Sequence, residues 1–146
     1  MAVAYTFSVA QIGSFEILSP LGRGAVATVY RAQRDGQDYS LKVLEEKWAR
    51  DKVVVQRFRN EATVLKRLDH PNIVRCFEVG DEGGLVYMAL EFVVGPTLSQ
   101  AIRKQAFTRR EFAAIAWKVA QGLAHVHERG VVHADITPGN ILLSSD

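Results

Sequence analysis

The hydrophobic pattern changes its period along the chain, and this change constrains the fold more than any other sequence feature. In the first half, short β-favouring runs cover residues 15–18, 27–32 and 39–44, separated by glycine-containing turns such as Asp35-Gly36. Beyond Gly95-Pro96, apolar residues recur at helical steps of three or four. Sequential strands joined by tight connections favour an antiparallel sheet. The sequence therefore predicts an α+β chain with a hinge near Gly95-Pro96.

The hydrophobic pattern also predicts how many strands and helices lie on each side of the hinge. Residues 51–68 carry one apolar helical stripe, and residues 73–79 and 85–93 add two more strands, which makes five strands and one helix. After the hinge, a helix is expected over residues 98–104. A longer one follows Thr108, whose capping box with Glu111 marks its start and whose end is marked by Gly130. Short strands at 131–132 and 141–143 are expected to flank a loop.

Composition excludes several classes of protein. With 146 residues, 48% of them hydrophobic, and a net charge of +2, the chain is neither disordered nor strongly basic, so neither nucleic acid nor a membrane surface is an expected partner. No apolar run is long enough to span a bilayer, and the first basic residue is Arg23, which does not fit a signal peptide. The single cysteine, Cys76, fits a reducing compartment. We expect a cytoplasmic location.

Two features of the first half suggest phosphate binding. Gly22 and Gly24 lie between two strands, where missing side chains let the backbone approach phosphate oxygens, although such a glycine pair by itself more often marks a simple hairpin. Lys42 lies within an apolar strand, and a buried ammonium needs a partner. Glu61 on the first helix is the natural candidate. We therefore predict a Lys42–Glu61 ion pair that holds the ammonium ready for a phosphate group.

The segment from His133 to Asn140 carries the strongest chemical signal. Asp135 and Asn140 lie in one turn between apolar runs. A carboxylate can orient the proton of an attacking hydroxyl, and an amide oxygen can ligate a hard cation such as Mg²⁺. The alternative is a turn whose Asx side chains satisfy their own backbone.

Taken together and in order, these motifs resemble those of a protein kinase, specifically the bacterial serine/threonine kinases. The resemblance begins at about Phe15 and also includes the run from Leu68 to Val74, Leu-Asp-His-Pro-Asn-Ile-Val. It implies a protein-kinase-like α+β fold, with residues 1–14 as an N-terminal extension, 15–93 as the N-lobe and 94–146 as a partial C-lobe. The N-lobe would hold a five-stranded antiparallel sheet and one helix.

The resemblance also implies ATP and Mg²⁺ as ligands and assigns the nucleotide contacts. Gly22 and Gly24 would cover the phosphates, and Lys42, held by Glu61, would contact the α- and β-phosphates. The side chains that enclose the adenine would be Leu21, Val29, Ser40 and Leu142. Leu90 would be the gatekeeper, and the backbone of Glu91 and Val93 would contact the purine from the hinge.

In the predicted catalytic loop, the resemblance makes Asp135 the residue that orients a protein Ser or Thr hydroxyl and Asn140 a metal ligand, with His133 supporting the loop. Ala134 replaces an arginine common in the family, and Thr137 replaces a lysine near the transferred phosphoryl group. No Asp-Phe-Gly segment occurs in the 146 residues. We therefore expect little activity from this chain alone, and self-association through C-lobe surface that lacks its cover.

Two other functions remain open at this level. A non-catalytic, kinase-like module that only binds nucleotide is suggested by Ala27 at the third small position of the glycine-containing loop, and by Ala134 and Thr137. A small-molecule kinase is suggested because the segment from His133 to Asn140 also resembles the loop of aminoglycoside-phosphotransferase-type kinases. The first half, with its Gly-x-Gly loop, favours the protein kinase.

Overall fold

The computed structural model describes residues 11–145, and these residues form six strands and four α-helices. The strands are β1 (Gln11–Ile12), β2 (Phe15–Arg23), β3 (Ala27–Arg34), β4 (Gln37–Leu44), β5 (Cys76–Glu82) and β6 (Leu85–Glu91). The helices are α1 (Glu46–Ala49), α2 (Lys52–Leu65), α3 (Leu98–Lys104) and α4 (Arg109–His127), and a 3-10 turn covers Pro138–Asn140.

The strands make one antiparallel sheet in the order β1-β2-β3-β4-β6-β5. The predicted fold class is confirmed, but the expected five strands are six. The additional strand is β1, in which Gln11 pairs with Glu16 and Ile12 with Phe15. Two residues are too short to show a period in the sequence, so β1 carries no strand signal of its own. The predicted N-terminal extension, residues 1–14, thus includes a short strand, and its residues 1–10 lie outside the described part.

One face of the sheet is a closed apolar core. Its centre is Phe15, which is fully buried and meets the rings of Tyr39 and Tyr87 edge-on, with centroids 5.2 and 5.9 Å away. The core is completed by buried residues from β1, β3, β4 and β6: Ile12, Ala32, Leu41, Val43 and Ala89. The alternation of β4 is clear, because Tyr39, Leu41 and Val43 face this core while Ser40 and Lys42 face the other side.

The helix predicted over residues 51–68 forms with shorter limits. Asp51 is its cap rather than its first residue, because Oδ1 of Asp51 accepts from the backbone N–H groups of Val53 and Val54 at 2.9 and 3.2 Å. The helix ends at Leu65, followed by turn hydrogen bonds that reach Leu68. Phe58 and Ala62 are its buried residues. The four-residue α1 before it is too short to be seen in the sequence.

The two later helices begin where the sequence indicates. The side chains of Thr97 and Thr108 each accept a hydrogen bond from the backbone N–H three residues on. In turn, the side chains of Gln100 and Glu111 accept from the backbone N–H groups of Thr97 and Thr108. Both capping boxes are therefore complete. Beyond the end of α4, Gly130 has φ +69, the left-handed conformation expected after a helix.

The two short strands expected around the segment from His133 to Asn140 are not strands, so this part of the prediction is wrong. The N–H of Val131 bonds to the carbonyl of Val126, which closes the end of α4 instead of joining a ladder. Leu142 forms only an isolated bridge with Thr97. Backbone bonds around that bridge tie residues 94–98 to residues 141–145. At Gly95 the backbone has φ +149 and passes so close to the carbonyl of Leu143 that a Cβ would overlap it.

The described residues divide into two compact units. The sheet unit comprises residues 11–63 and 76–92, and the helical unit comprises residues 64–75 and 93–145. The division differs from the predicted 15–93 and 94–146 chiefly because it assigns residues 64–75, from the last two residues of α2 to the start of β5, to the helical unit. Among the helices of residues 11–145, none combines the length and the apolar character that crossing a bilayer requires.

Candidate functional site

A single row of paired residues crosses the sheet unit and carries several of the predicted site residues. Gly22 is paired with Val29, Val29 with Lys42, and Lys42 with Met88. Directly paired residues of an antiparallel sheet share a face. Ser40, two positions before Lys42, lies on this face as well, and it is paired with Leu90. The register therefore collects five predicted residues, Gly22, Val29, Ser40, Lys42 and Leu90, on the face opposite the Phe15 core.

The predicted ion pair is present within the sheet unit. Nζ of Lys42 lies 2.8 Å from Oε1 of Glu61, and 5.6 Å from the centre of the Phe58 ring. The Lys42 side chain is 25% exposed and that of Glu61 is 48% exposed. A pair this accessible adds about 0–1 kcal/mol to stability. Its main physical effect is therefore to fix the direction of the ammonium, since Glu61 and the ring together leave the long side chain few rotamers.

The hairpin that carries Gly22 and Gly24 is closed by its own backbone. The N–H of Gly24 donates to the carbonyl of Ala27 at 2.8 Å, so this N–H is engaged within the turn. No atom outside the neighbouring residues lies within 4 Å of where a Cβ of Gly22 would stand. The space over Gly22 on the row that leads to Lys42 is thus open. Leu21, beside it, is 46% exposed.

The other predicted nucleotide contacts belong to different parts of the fold. Glu91 ends β6 and is paired with Tyr39. Val93 begins the second part of the helical unit, and Leu142 makes the bridge with Thr97 in that same unit. Four of the predicted residues therefore lie outside the Lys42 row. Leu21 is in β2 and Glu91 ends β6, while Val93 and Leu142 belong to the helical unit.

The predicted catalytic loop of the helical unit is organised around Asp135. The amide nitrogen of Asn140 donates to both the backbone carbonyl and Oδ2 of Asp135, at 2.9 Å each. From the other side, Nδ1 of His133 accepts the backbone N–H of Asp135 at 3.3 Å. Ala134, between them, has φ +60, a conformation that costs a non-glycine residue about 1–2 kcal/mol. These contacts fix the loop around an exposed carboxylate.

The orientation of Asn140 bears on metal binding. Because its nitrogen faces Asp135, the amide presents its oxygen Oδ1 on the opposite side, and an amide oxygen is a suitable ligand for Mg²⁺. The residue type and its fixed orientation therefore fit one ligand of a magnesium site. Within residues 11–145, no three His, Cys, Asp or Glu side chains are grouped closely enough to hold an ion by themselves.

Two histidines of the helical unit lie in contact with each other. The His70 and His125 rings lie with centroids 5.0 Å apart, and Nδ1 of His70 accepts the backbone N–H of Asn72. Nε2 of His125 is buried without a hydrogen-bond partner. Removal from water, followed by the nearby charges of Arg129 and His70, lowers the pKa of His125 from its ordinary value.

The structure also adds a residue that the sequence did not single out. Glu45 follows β4 and receives hydrogen bonds from Arg23 and Thr28, on the two strands of the glycine-containing hairpin. These bonds, that of Thr28 first, lower the pKa of the Glu45 carboxyl. A glutamate after a strand is common, and no spacing distinguishes this one, so only the fold could identify it.

Comparison with known proteins identifies the family of this chain. The protein kinase domain model matches residues 15–146. The serine/threonine-protein kinase PkaA of Streptomyces coelicolor is 40% identical over 147 residues, and PrkC of Bacillus subtilis is 35% identical over 134 residues. Each alignment covers 90% of this chain. The fold also matches the crystal structure of the Mycobacterium tuberculosis PknI kinase domain, with a TM-score of 0.78, 31% identity and 92% of this chain covered.

The chain therefore belongs to the protein kinase family. Among its relatives are bacterial proteins named as serine/threonine kinases, as the motifs predicted. The alignments cover 27% of the length of PkaA, 21% of PrkC and 56% of the PknI kinase domain structure. The chain thus spans about a quarter of the curated relatives and a little over half of that domain.

Proposed function

We propose that this chain is the nucleotide-binding part and catalytic loop of a kinase that transfers the γ-phosphoryl group of ATP to Ser or Thr hydroxyls of proteins. The observation that carries the proposal is the Lys42–Glu61 ion pair on the sheet face shared with Val29, Ser40 and Leu90. An ammonium held in one direction beside apolar side chains suits a ligand that is negative at one end and apolar at the other. ATP is such a ligand.

Lys42 binds the α- and β-phosphates in this proposal. The triphosphate is strongly negative, and a charge-assisted hydrogen bond from a positioned ammonium is about twice as strong as a neutral one. Glu61 keeps Nζ in place between turnovers, because without it the flexible lysine would have to be ordered each time ATP binds. The open space over Gly22 lets the hairpin backbone approach the phosphates.

The base lies against the apolar part of the same face, between Val29 and the β4–β6 pair that carries Ser40 and Leu90. Leu90 acts as the gatekeeper beside the base. Leu21 and Leu142 supply the remaining apolar cover, and the backbone of Glu91 and Val93 supplies the polar contacts to the purine. The specificity for adenine then rests on backbone groups, which side-chain substitutions leave unchanged.

Asp135 orients the acceptor hydroxyl and takes up its proton as the oxygen attacks. The bonds from Asn140 and His133 support this role, because they hold the carboxylate in one position while leaving it exposed to an acceptor. Asn140 would be one of the residues that hold Mg²⁺, since its amide oxygen is left free by the bonds to Asp135. The metal, when bound, neutralises charge on the phosphates. Thr137 offers a neutral hydroxyl at the position where the family pattern has a lysine, so charge stabilisation rests more heavily on Lys42.

In this proposal the phosphoryl group is transferred to a protein, and the kinase acts in the cytoplasm. The relatives named as serine/threonine kinases support the first. The use of ATP and the single cysteine support the second.

The test separates binding from transfer in the full-length protein. Asp135→Asn keeps the size of the side chain and removes its charge, so we expect it to lower phosphoryl transfer about 10²–10⁴-fold while ATP affinity stays within about twofold. Lys42→Met is expected to lower transfer about 10²–10³-fold, because it removes a positioned charge from the phosphates. Nucleotide binding is measured by calorimetry, and transfer with radiolabelled ATP and a generic protein substrate.

Asp81→Asn is the matched control, since Asp81 forms an exposed ion pair with Arg59 in the sheet unit and has no role in the proposal. It should leave both readouts unchanged. Nucleotide binding without any transfer would replace the proposal by a binding module. Transfer to an aminoglycoside and not to protein would replace it by a small-molecule kinase, and transfer unaffected by Asp135→Asn would overturn the role of that residue.

A further inference from the structure

The segment that follows β4 is bonded to both strands of the glycine-containing hairpin. Glu45 accepts from Nε and Nη2 of Arg23 at 3.1 and 3.0 Å, one bond on each carboxylate oxygen. Its Oε1 also accepts from Oγ1 of Thr28 at 2.7 Å. Arg23 ends β2 and Thr28 lies near the start of β3, and the two are paired across the hairpin. One carboxylate therefore joins the two strands at the base of the turn.

The same segment is bonded to the tip of the hairpin. The N–H of Glu45 donates to the carbonyl of Val26 at 2.9 Å, and Nε1 of Trp48 donates to the carbonyl of Ala25 at 3.2 Å. These carbonyls belong to the residues directly after Gly24, where an unrestrained loop would be most mobile. With the internal Gly24–Ala27 bond, every residue from Arg23 to Thr28 is held through its backbone or its side chain.

We propose that Glu45 and Trp48 are positioning residues that hold this hairpin in the shape in which it receives the phosphates of ATP. The inference rests on the proposed function, since it concerns how the nucleotide-binding loop is ordered. A glycine-rich turn has a large conformational entropy when free, and ordering it only when ATP binds would weaken binding. The contacts from Glu45 and Trp48 order it beforehand, so the nucleotide meets a loop that is already formed.

This arrangement also assigns the role of Arg23. A guanidinium inside a phosphate-binding loop suggests a direct contact with ATP, but here two of its nitrogens are bonded to Glu45. Arg23 therefore acts on the nucleotide through the shape of the loop. It follows that removing Glu45 already breaks the contact that removing Arg23 breaks, so the double variant should bind ATP no more weakly than Glu45→Ala alone.

The experiment measures ATP affinity and the state of Trp48 in the full-length protein. We expect Glu45→Ala to weaken ATP binding about five- to tenfold, by loss of preorganisation, and Trp48→Phe to weaken it about two- to fivefold. Glu45→Gln keeps an acceptor for Thr28 and Arg23 and should restore affinity to within about threefold of the parent. Glu46→Ala is the matched control, because Glu46 is the adjacent glutamate and its side chain is 81% exposed.

The second readout needs no nucleotide. With 5-fluorotryptophan incorporated, the ¹⁹F resonance of Trp48 is assigned by its loss in Trp48→Phe. We expect Glu45→Ala to shift or broaden that resonance and to leave the resonance of Trp117, in the helical unit, unchanged. A change in overall stability alone would move both resonances or neither, so the pair separates positioning from a structural role.

Unchanged ATP affinity in Glu45→Ala, an equal loss in Glu46→Ala, or additive losses in the Arg23→Ala, Glu45→Ala double variant would each overturn the inference. A parent protein that binds no ATP would instead contradict the proposed function. In that case the nucleotide-free Trp48 spectrum decides whether Glu45 orders the hairpin: an unperturbed resonance in Glu45→Ala refutes the contact, and a perturbed one supports it.

Discussion

The sheet unit and the helical unit differ in where they put their apolar side chains. Among the described residues, the buried apolar ones lie in the sheet unit except for four, Leu68, Leu98, Ala101 and Val126. Large apolar side chains of the helical unit stay accessible: Trp117 is 67% exposed and Phe112 on the same helix is 46% exposed. The sheet unit therefore holds its own core, while stability in the helical unit depends more on caps and backbone bonds.

The two units also use unusual backbone conformations for different purposes. In the sheet unit, Asp35 and Gly36 have φ +52 and +77, which gives the tight turn that the twist of a hairpin requires. In the helical unit, Ala134 has φ +60 directly before Asp135, where no hairpin demands it. The first conformation follows from local geometry. The second is found at the proposed catalytic residue, as is common for strained residues.

The largest expected difference between the units comes from removing one phenylalanine in each. Phe15→Ala empties the centre of the sheet core and should cost about 3–5 kcal/mol of unfolding free energy. Phe112→Ala removes a half-exposed ring that packs in a T-shaped pair with Phe107, and should cost about 1 kcal/mol or less. Chemical denaturation followed by circular dichroism checks both. Equal costs would show that the helical unit is as tightly packed as the sheet unit.

An intermediate effect is expected at the backbone contact of the helical unit. Gly95→Ala places a methyl group against the carbonyl of Leu143 at a φ that L-residues avoid, so it should cost about 2–4 kcal/mol. Gly36→Ala in the sheet unit is the control. It has a positive φ but open space, and should cost about 1 kcal/mol. Thermal unfolding measures both, and a Gly95→Ala variant as stable as Gly36→Ala would refute the overlap.

The smallest effect is a pH dependence confined to the helical unit, which contains all four histidines of the chain. The folded-state pKa of His125 is lowered, so the unfolded chain binds a proton more readily and folding is favoured at higher pH. Stability should therefore fall as pH drops through the ordinary histidine value of 6.5. Unfolding midpoints measured between about pH 5.5 and 7.5 should show this slope.

His125→Leu is expected to flatten that slope, while His127→Leu serves as the matched change at an exposed position of the same helix. A slope that survives in His125→Leu would assign the pH dependence to another group. In the sheet unit, which has no histidine, the Trp48 resonance should stay constant over the same pH range.

Much of the fold could be predicted from local signals. The limits of α3 agree with the sequence, and the capping box of Thr108 places the start of α4 correctly, because a cap depends on residues only three positions apart. The prediction failed where the signal was short or the partner distant. Two valines at 131–132 favour a strand, but a strand needs a neighbour, and the N–H of Val131 finds the carbonyl of Val126 instead.

The candidate site likewise contains contacts that the sequence predicts and contacts that it does not. Lys42 and Glu61 could be paired from the sequence because a lysine inside an apolar strand requires a partner and the next helix offers a carboxylate. Glu45 and Trp48 could not be assigned, since their partners in the hairpin are about twenty positions earlier in the chain and match no spacing rule.

The sequence by itself determined the order of the longer strands and helices, the starts of α3 and α4 and the motifs that carry the chemistry, because periodicity, caps and turn residues act over a few neighbouring positions. The tertiary structure alone decided the place of β6 between β4 and β5, the addition of β1 and the bonds from Glu45 to the hairpin. These depend on register and packing between distant segments, where many pairings satisfy the local rules and only the folded chain selects one of them.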